Sequence, residues 1–327
     1  MDIEQPLSRR ALLTGAGAVG AGAILLGVLP ETSGAATAPR RRATPAIATS
    51  GFSTASVGAQ SNARLTMTVG GGVRTMRTTS LPAHAIDPDF SYPAPPAAQD
   101  LTFRVTTRPR LADQLTELVT GYTLGVHLDS VTLETASADY YDNDFMGPWN
   151  YVPRPLDRYG AHTHPVGTNP EDGDYHYHRV TAEWSSDPSR HSPVVGWAAD
   201  GFPVYLRYGY ATPTSPGRIA NLTSSFRIRQ GSRPSTTGSP GGTYDGTFVA
   251  DYEYVEGLGD LDQCNGRLCV TPEFPSGIYA YFLTDGWPSI PHWLRGVPDG
   301  TFTPQNNGSQ GPPTGGPPGT GGGPPPR

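Results

Sequence analysis

Lysine is absent from this sequence, so all 23 basic residues are arginine. Charged residues make up only 16% of the chain, and the net charge is −6. A sparsely charged, acidic chain lacks the basic face that a nucleic-acid binder needs, so no nucleic-acid partner is expected. Long sustained helical periods are also missing, which argues against a helix bundle or a coiled coil. At 36% hydrophobic residues a polytopic membrane protein is disfavoured as well. Glycine (41) and proline (35) are in excess, about 23% of 327 residues against about 12% in average usage.

Part of that excess lies at the ends. Residues 311–327 are Gly or Pro at 14 of 17 positions and read as an extended tail that cannot bury a core. The fragment Gly311-Pro312-Pro313-Thr314-Gly315 hints at a sortase anchor, but it lacks the leading Leu and a hydrophobic tail. At the other end, Ser8-Arg9-Arg10-Ala11-Leu12-Leu13 sets a twin arginine before a weakly apolar Gly/Ala stretch reaching Leu29. Small residues follow at Ser33-Gly34-Ala35-Ala36-Thr37-Ala38, where a peptidase can cut. This resembles a Tat (twin-arginine) export signal, with Arg9 and Arg10 as its signature. That resemblance implies the Tat machinery as partner, a periplasmic or extracellular location, and export of an already folded chain. It also implies no integral membrane span in the mature chain; the alternative reading of the segment is an uncleaved membrane anchor.

The expected organisation is a signal at 1–38, a disordered linker at 39–61, a β-rich domain at 62–300 and a disordered tail at 301–327. Within the domain, Leu65 to Val69 alternates apolar and polar residues. Gly70-Gly71-Gly72 then turns the chain and Val73 to Thr78 continues, a hairpin pattern. Leu101 to Val105 reads as a further strand. Thr123 to Leu128 with Val131 to Leu133 reads as a second hairpin. Leu111, Leu115 and Leu118 suggest a short helix over 111–119. Turn residues recur throughout, so the fold class is mainly β: a single loop-rich β domain with little helix, flanked by disordered ends.

The chemistry concentrates in the histidines. Five of the eight fall between His162 and His191. Two pairs have His-x-His spacing, His162-Thr163-His164 and His176-Tyr177-His178. On a strand, residues i and i+2 share a face roughly 6–7 Å apart, so each pair can turn two imidazoles toward one metal ion. Neutral imidazole suits Cu or Zn. The alternative is ordinary surface or hydrogen-bonded histidine. The acidic stretch Glu171-Asp172-Gly173-Asp174 is expected to be the loop joining the pairs, with Gly173 in its turn. The spacing from His-x-His to the next Glu does not fit a cupin. If Tyr175-His176-Tyr177-His178 is a strand, its tyrosines face one side and its histidines the other.

That run, with His191-Ser192-Pro193-Val194-Val195-Gly196-Trp197-Ala198-Ala199-Asp200-Gly201-Phe202-Pro203-Val204-Tyr205, resembles the YHYH domain family. So do Leu261-Asp262-Gln263-Cys264-Asn265-Gly266-Arg267 and the segment from Thr271 to Phe282. The resemblance covers roughly 120–300. It places His164, Tyr175, His176, Tyr177, His178, His191, Asp200 and Asn265 in family motifs and leaves His162 as an extra. Some members carry Tyr-His-Tyr where this chain has Tyr279-Ala280-Tyr281, so no imidazole is available there. The resemblance lends a domain and not a reaction.

The candidate metal ligands are therefore His164, His176 and His178, with His191 as a fourth. Asp200, in Ala-Asp-Gly-Phe-Pro, is either a turn former or a carboxylate that supports a ligand or acts as a base. Cys264 and Cys269 form a disulfide after export, stay as thiols, or bind metal. Asp260 and Asp262 are one residue off a calcium-loop spacing. Asp139, Asp142 and Asp144 read as a solvated acidic loop. No phosphate loop, Gly-x-Ser-x-Gly elbow or His-Glu-x-x-His helix is present, so ATP use, serine hydrolysis and zincin chemistry lack support. A second class of function fits the aromatic runs. Trp149, Tyr151, Tyr205, Tyr208, Tyr210, Tyr252 and Tyr254 suit a non-catalytic extracellular module that stacks on sugars, if they do not simply pack a β core.

Overall fold

The computed structural model describes residues 62–302, apart from 120, 121, 136, 138, 146 and 168. The expected signal, with Arg9 and Arg10, the linker and nearly all of the tail lie outside the described residues. The chain is mainly β, with no α-helix among the described residues and only short 3-10 turns. No helix there is long and apolar enough to cross a membrane.

Strands β1 (Leu65–Gly70) and β2 (Val73–Thr78) form the expected hairpin, and β3 (Leu101–Thr106) pairs with β2 to complete a three-stranded sheet. On β3, Leu101, Phe103 and Val105 are buried while Arg104 points to solvent, the alternation of a half-buried strand. The segment expected as a helix is instead β4 (Leu111–Glu117). Of the three leucines behind that expectation, Leu111 and Leu115 are exposed and only Leu118 is buried, so no continuous apolar helical face has a surface to pack on. The β4 backbone pairs instead with β17 (Trp293–Gly296), across a bulge.

The main sheet has eight strands. These are β5 (Thr123–His127), β6 (Thr132–Glu134), β7 (Ala161–Val166), β8 (Asn169–Tyr177), β9 (Val194–Ala198), β10 (Pro203–Tyr205), β15 (Gly266–Cys269) and β16 (Ile278–Phe282). Their order is β15-β16-β10-β9-β5-β6-β8-β7. Every residue of the central strands β5 and β9 is buried. The short strands β11 (Tyr208–Tyr210), β12 (Ile219–Asn221), β13 (Phe226–Ile228) and β14 (Tyr252–Tyr254) make two separate ribbons between β10 and β15.

This sheet is one motif used twice. In the first half, β5 and β6 form a hairpin, the chain crosses over, and β7 and β8 form a hairpin whose second strand lies parallel to β6. In the second half, β9 and β10 form a hairpin, the chain crosses over through the ribbons, and β15 and β16 form a hairpin whose second strand lies parallel to β10. The registers agree in detail. Leu133↔Tyr177 in one half matches Val204↔Tyr281 in the other, and His162↔His176 matches Arg267↔Ala280. Even the bulge recurs, between Thr123 and Gly125 and between Val194 and Gly196. The halves meet where β5 pairs with β9 through Gly125↔Ala198, Val126↔Trp197 and His127↔Gly196, a register unchanged when the halves are exchanged. Both glycines are needed for that approach. A Cβ on Gly125 would meet the Trp197 carbonyl oxygen at 2.3 Å, and one on Gly196 the Val126 carbonyl oxygen at 2.7 Å.

Candidate metal centre

The hairpin of β7 and β8 builds the site at one edge of the main sheet. Its turn is at Gly167, and not in the acidic stretch as expected. Residues 171–174 are part of β8. Gly173 pairs with Pro165, and a Cβ there would lie 2.6 Å from the Pro95 carbonyl oxygen, so its glycine serves a close backbone crossing rather than a turn. Because the turn is short, the two His-x-His pairs face each other across the ladder. His162 lies opposite His176, and His164 opposite Asp174. His178, just past β8, follows His176 at i+2 and adds the fourth ring.

Neighbouring ring centroids are 4.4–4.8 Å apart, edge to face except for His164 and His176, whose planes are tilted by 41°. The Nε2 atom of His162 is 3.1 Å from Nε2 of His164 and 3.0 Å from Nε2 of His178. A ring nitrogen carries either one proton or one lone pair, so His162 Nε2 satisfies one such neighbour and not both. A tetrahedral ion with bonds of about 2.0–2.1 Å sets its donor nitrogens about 3.3 Å apart, close to what is found. Burial is the main cause that keeps all four rings neutral. It pushes His162 down to about 3, lowers His164, and holds His176 and His178 well below their ordinary value, with neighbouring histidines lowering most of them further. Lone pairs are thus present at neutral pH. Candidate ligand atoms from all four residues lie within 4.8 Å of one another.

The tyrosines of the motif face the other way, and their hydroxyls bind carboxylates. Tyr177 donates to Asp129 Oδ2 at 2.6 Å and Tyr175 to Asp157 Oδ2 at 2.7 Å. The second half repeats both bonds. Tyr281 donates to Asp200 Oδ2 at 2.5 Å, and Tyr279 to Asp262 at 2.9 Å. Asp157 Oδ1 caps the amides of Tyr159 and Ala161, as Asp262 Oδ1 caps those of Cys264 and Gly266. The tyrosine–aspartate pairs therefore hold each hairpin against the sheet in both halves. The histidines do not recur. Arg267, Cys269, Ala280 and Phe282 stand at the positions of His162, His164, His176 and His178. The same backbone forms without them, so the imidazoles are not there to make the fold.

The structure brings together His164, His176 and His178 from the expected set and adds His162, which the motif had left aside. The equal i, i+2 spacing of the two pairs was its sequence signal. His191 lies elsewhere, in the second half, with its ring centroid 5.0 Å from Tyr205 and 4.9 Å from Tyr210. It precedes β9 rather than lying on the β7–β8 hairpin, so the ladder does not carry it to the cluster. Asp200 accepts from Tyr281, Gly296 N and Phe202 N, and none of these bonds reaches a histidine. Burial raises its pKa. Cys264 and Cys269 are free, buried thiols whose pKa values burial raises. The chain between them enters β15 at Gly266 and runs extended instead of looping back. Asp260 binds Thr223, and Asp262 serves the tyrosine pair. The aromatic runs pack on the protein itself. Trp149 and Tyr151 meet Phe248, Tyr205 is fully buried, and Tyr252 stacks on Trp287 at 4.0 Å. Glu134 and Asp174, which no motif marked as site residues, are also buried beside His176.

A family model described as YHYH protein matches residues 102–296. Comparison with curated proteins and with solved structures gives no match.

Proposed function

The chain belongs to the YHYH protein family, and we propose that it is an exported protein that binds a transition-metal ion, Zn or Cu, through His162, His164, His176 and His178. The convergence of three Nε2 atoms within 3.1 Å steps, on rings that burial keeps neutral, carries this reading. The second half supports it, because the same strands form there with no imidazole at the matching positions. Imidazole alone as donor selects a borderline metal over Mg or Ca.

Elemental analysis of the purified chain tests the reading. Wild type is expected to carry Zn or Cu, and a His176→Ala/His178→Ala variant to carry little. Equally negligible metal in both would sink it. Export rests on the twin arginine before the apolar stretch. An Arg9→Lys/Arg10→Lys variant is expected to stay in the cytoplasm by cell fractionation, and its unimpaired export would contradict a Tat route.

A further inference from the structure

Two carboxylates lie beside the imidazole cluster. Glu134 ends β6, which runs parallel to β8, and Asp174 lies two residues before His176 on β8 itself. Glu134 is 5% exposed, Asp174 6% and His176 1%. Candidate ligand atoms of the three residues all fall within 4.8 Å of one another. His176 Nδ1 is 2.9 Å from the Asp174 carbonyl oxygen, which places the ring proton on Nδ1 and leaves Nε2 a bare acceptor. That Nε2 is buried with no hydrogen-bond partner and lies 3.9 Å from Glu134 Oε2. Asp174 Oδ1 is also buried without a partner. Among the described residues no ion pair reaches Asp174. A carboxylate buried without a countercharge is costly, and a divalent cation supplies that charge.

The internal repeat shows what these acids are not for. Tyr205 stands in the second half where Glu134 stands in the first, and Ile278 where Asp174 stands. Both acids are missing from the half that also lacks the imidazoles, while the aspartates that bind tyrosine are kept. Glu134 and Asp174 thus go with the histidines as one constellation.

We propose that Glu134, Asp174 and His176 form a second divalent-cation site, so that the centre holds two metal ions. One sits on the imidazole cluster and the other on Glu134, Asp174 and His176, so that with both ions bound His176 turns to the second ion and His162, His164 and His178 hold the first. The second donor set is harder and suits Zn, Mn or Fe(II) better than Cu. This rests on the imidazole reading above.

Equilibrium dialysis of the full chain against Zn2+, with the bound metal counted per chain, tests it. Wild type is expected to bind two ions and a Glu134→Gln/Asp174→Asn variant one. One ion in wild type overturns the second site and leaves the imidazole site standing. Two ions in both proteins overturns the assignment of the acids. No ion in wild type overturns the imidazole reading beneath it. The wild-type count decides between one and two sites even where the variant does not fold.

Discussion

His162 is pushed down to about 3, from an ordinary value of 6.5, chiefly by burial, and its three neighbours move the same way. In the unfolded chain these rings titrate near the ordinary value. Between about pH 6.5 and pH 3 the unfolded chain therefore binds protons that the native chain refuses, and stability falls as pH falls through that window. Asp174 works in the opposite sense. Burial raises it from 3.8 to about 7, so the native state holds its proton more tightly and loses stability as pH rises from about 4 to 7. Four imidazoles outweigh one carboxyl. The metal-free wild type is thus expected to lose more stability between pH 6.5 and 4 than the His176→Ala/His178→Ala variant, measured by urea unfolding. Equal losses would show that the rings are not held neutral.

Strands β8 and β16 carry the same device, a pair of tyrosines whose hydroxyls end on carboxylates, buried at Asp129, Asp157 and Asp200 and half-buried at Asp262. A hydrogen bond to a charged group contributes about 1.5–3 kcal/mol. Tyr177→Phe and Tyr281→Phe are each expected to destabilise the chain by about 2 kcal/mol in denaturant titration, with metal content unchanged. A metal loss in Tyr281→Phe alone would contradict the assignment of that half to folding. At this scale much was legible. Alternation predicted β1, turn residues and short apolar runs predicted β2, β3, β5 and β6, and the i, i+2 spacing predicted which residues share the face of β8. The helix expected over 111–119 did not form because the spacing of Leu111, Leu115 and Leu118 says nothing about whether a surface exists to bury them, and only Leu118 finds one. The turn placed at Gly173 failed because that glycine answers to a crossing backbone from Pro95, a contact remote in sequence.

The main sheet is a repeated motif whose second copy kept its frame and carries no imidazoles at the matching positions. That repeat was hidden in the sequence. What the halves share is a few positions, such as Gly125 and Gly196, Asp129 and Asp200, and Tyr177 and Tyr281, and the ribbons between β10 and β15 break their spacing. Strand pairing reveals it, and with it the division between residues that make the fold and residues that the fold carries. Asp200 and His191 fall in the second copy, so motif membership alone placed them with a site they do not touch. On the proposed reading, the first copy holds a metal on imidazole. X-ray absorption of the chain loaded with one equivalent of Zn2+ tests it most directly. A nitrogen shell at about 2.0–2.1 Å with the outer-shell scattering of imidazole rings is expected. A shell of oxygen alone, without imidazole scattering, would contradict it.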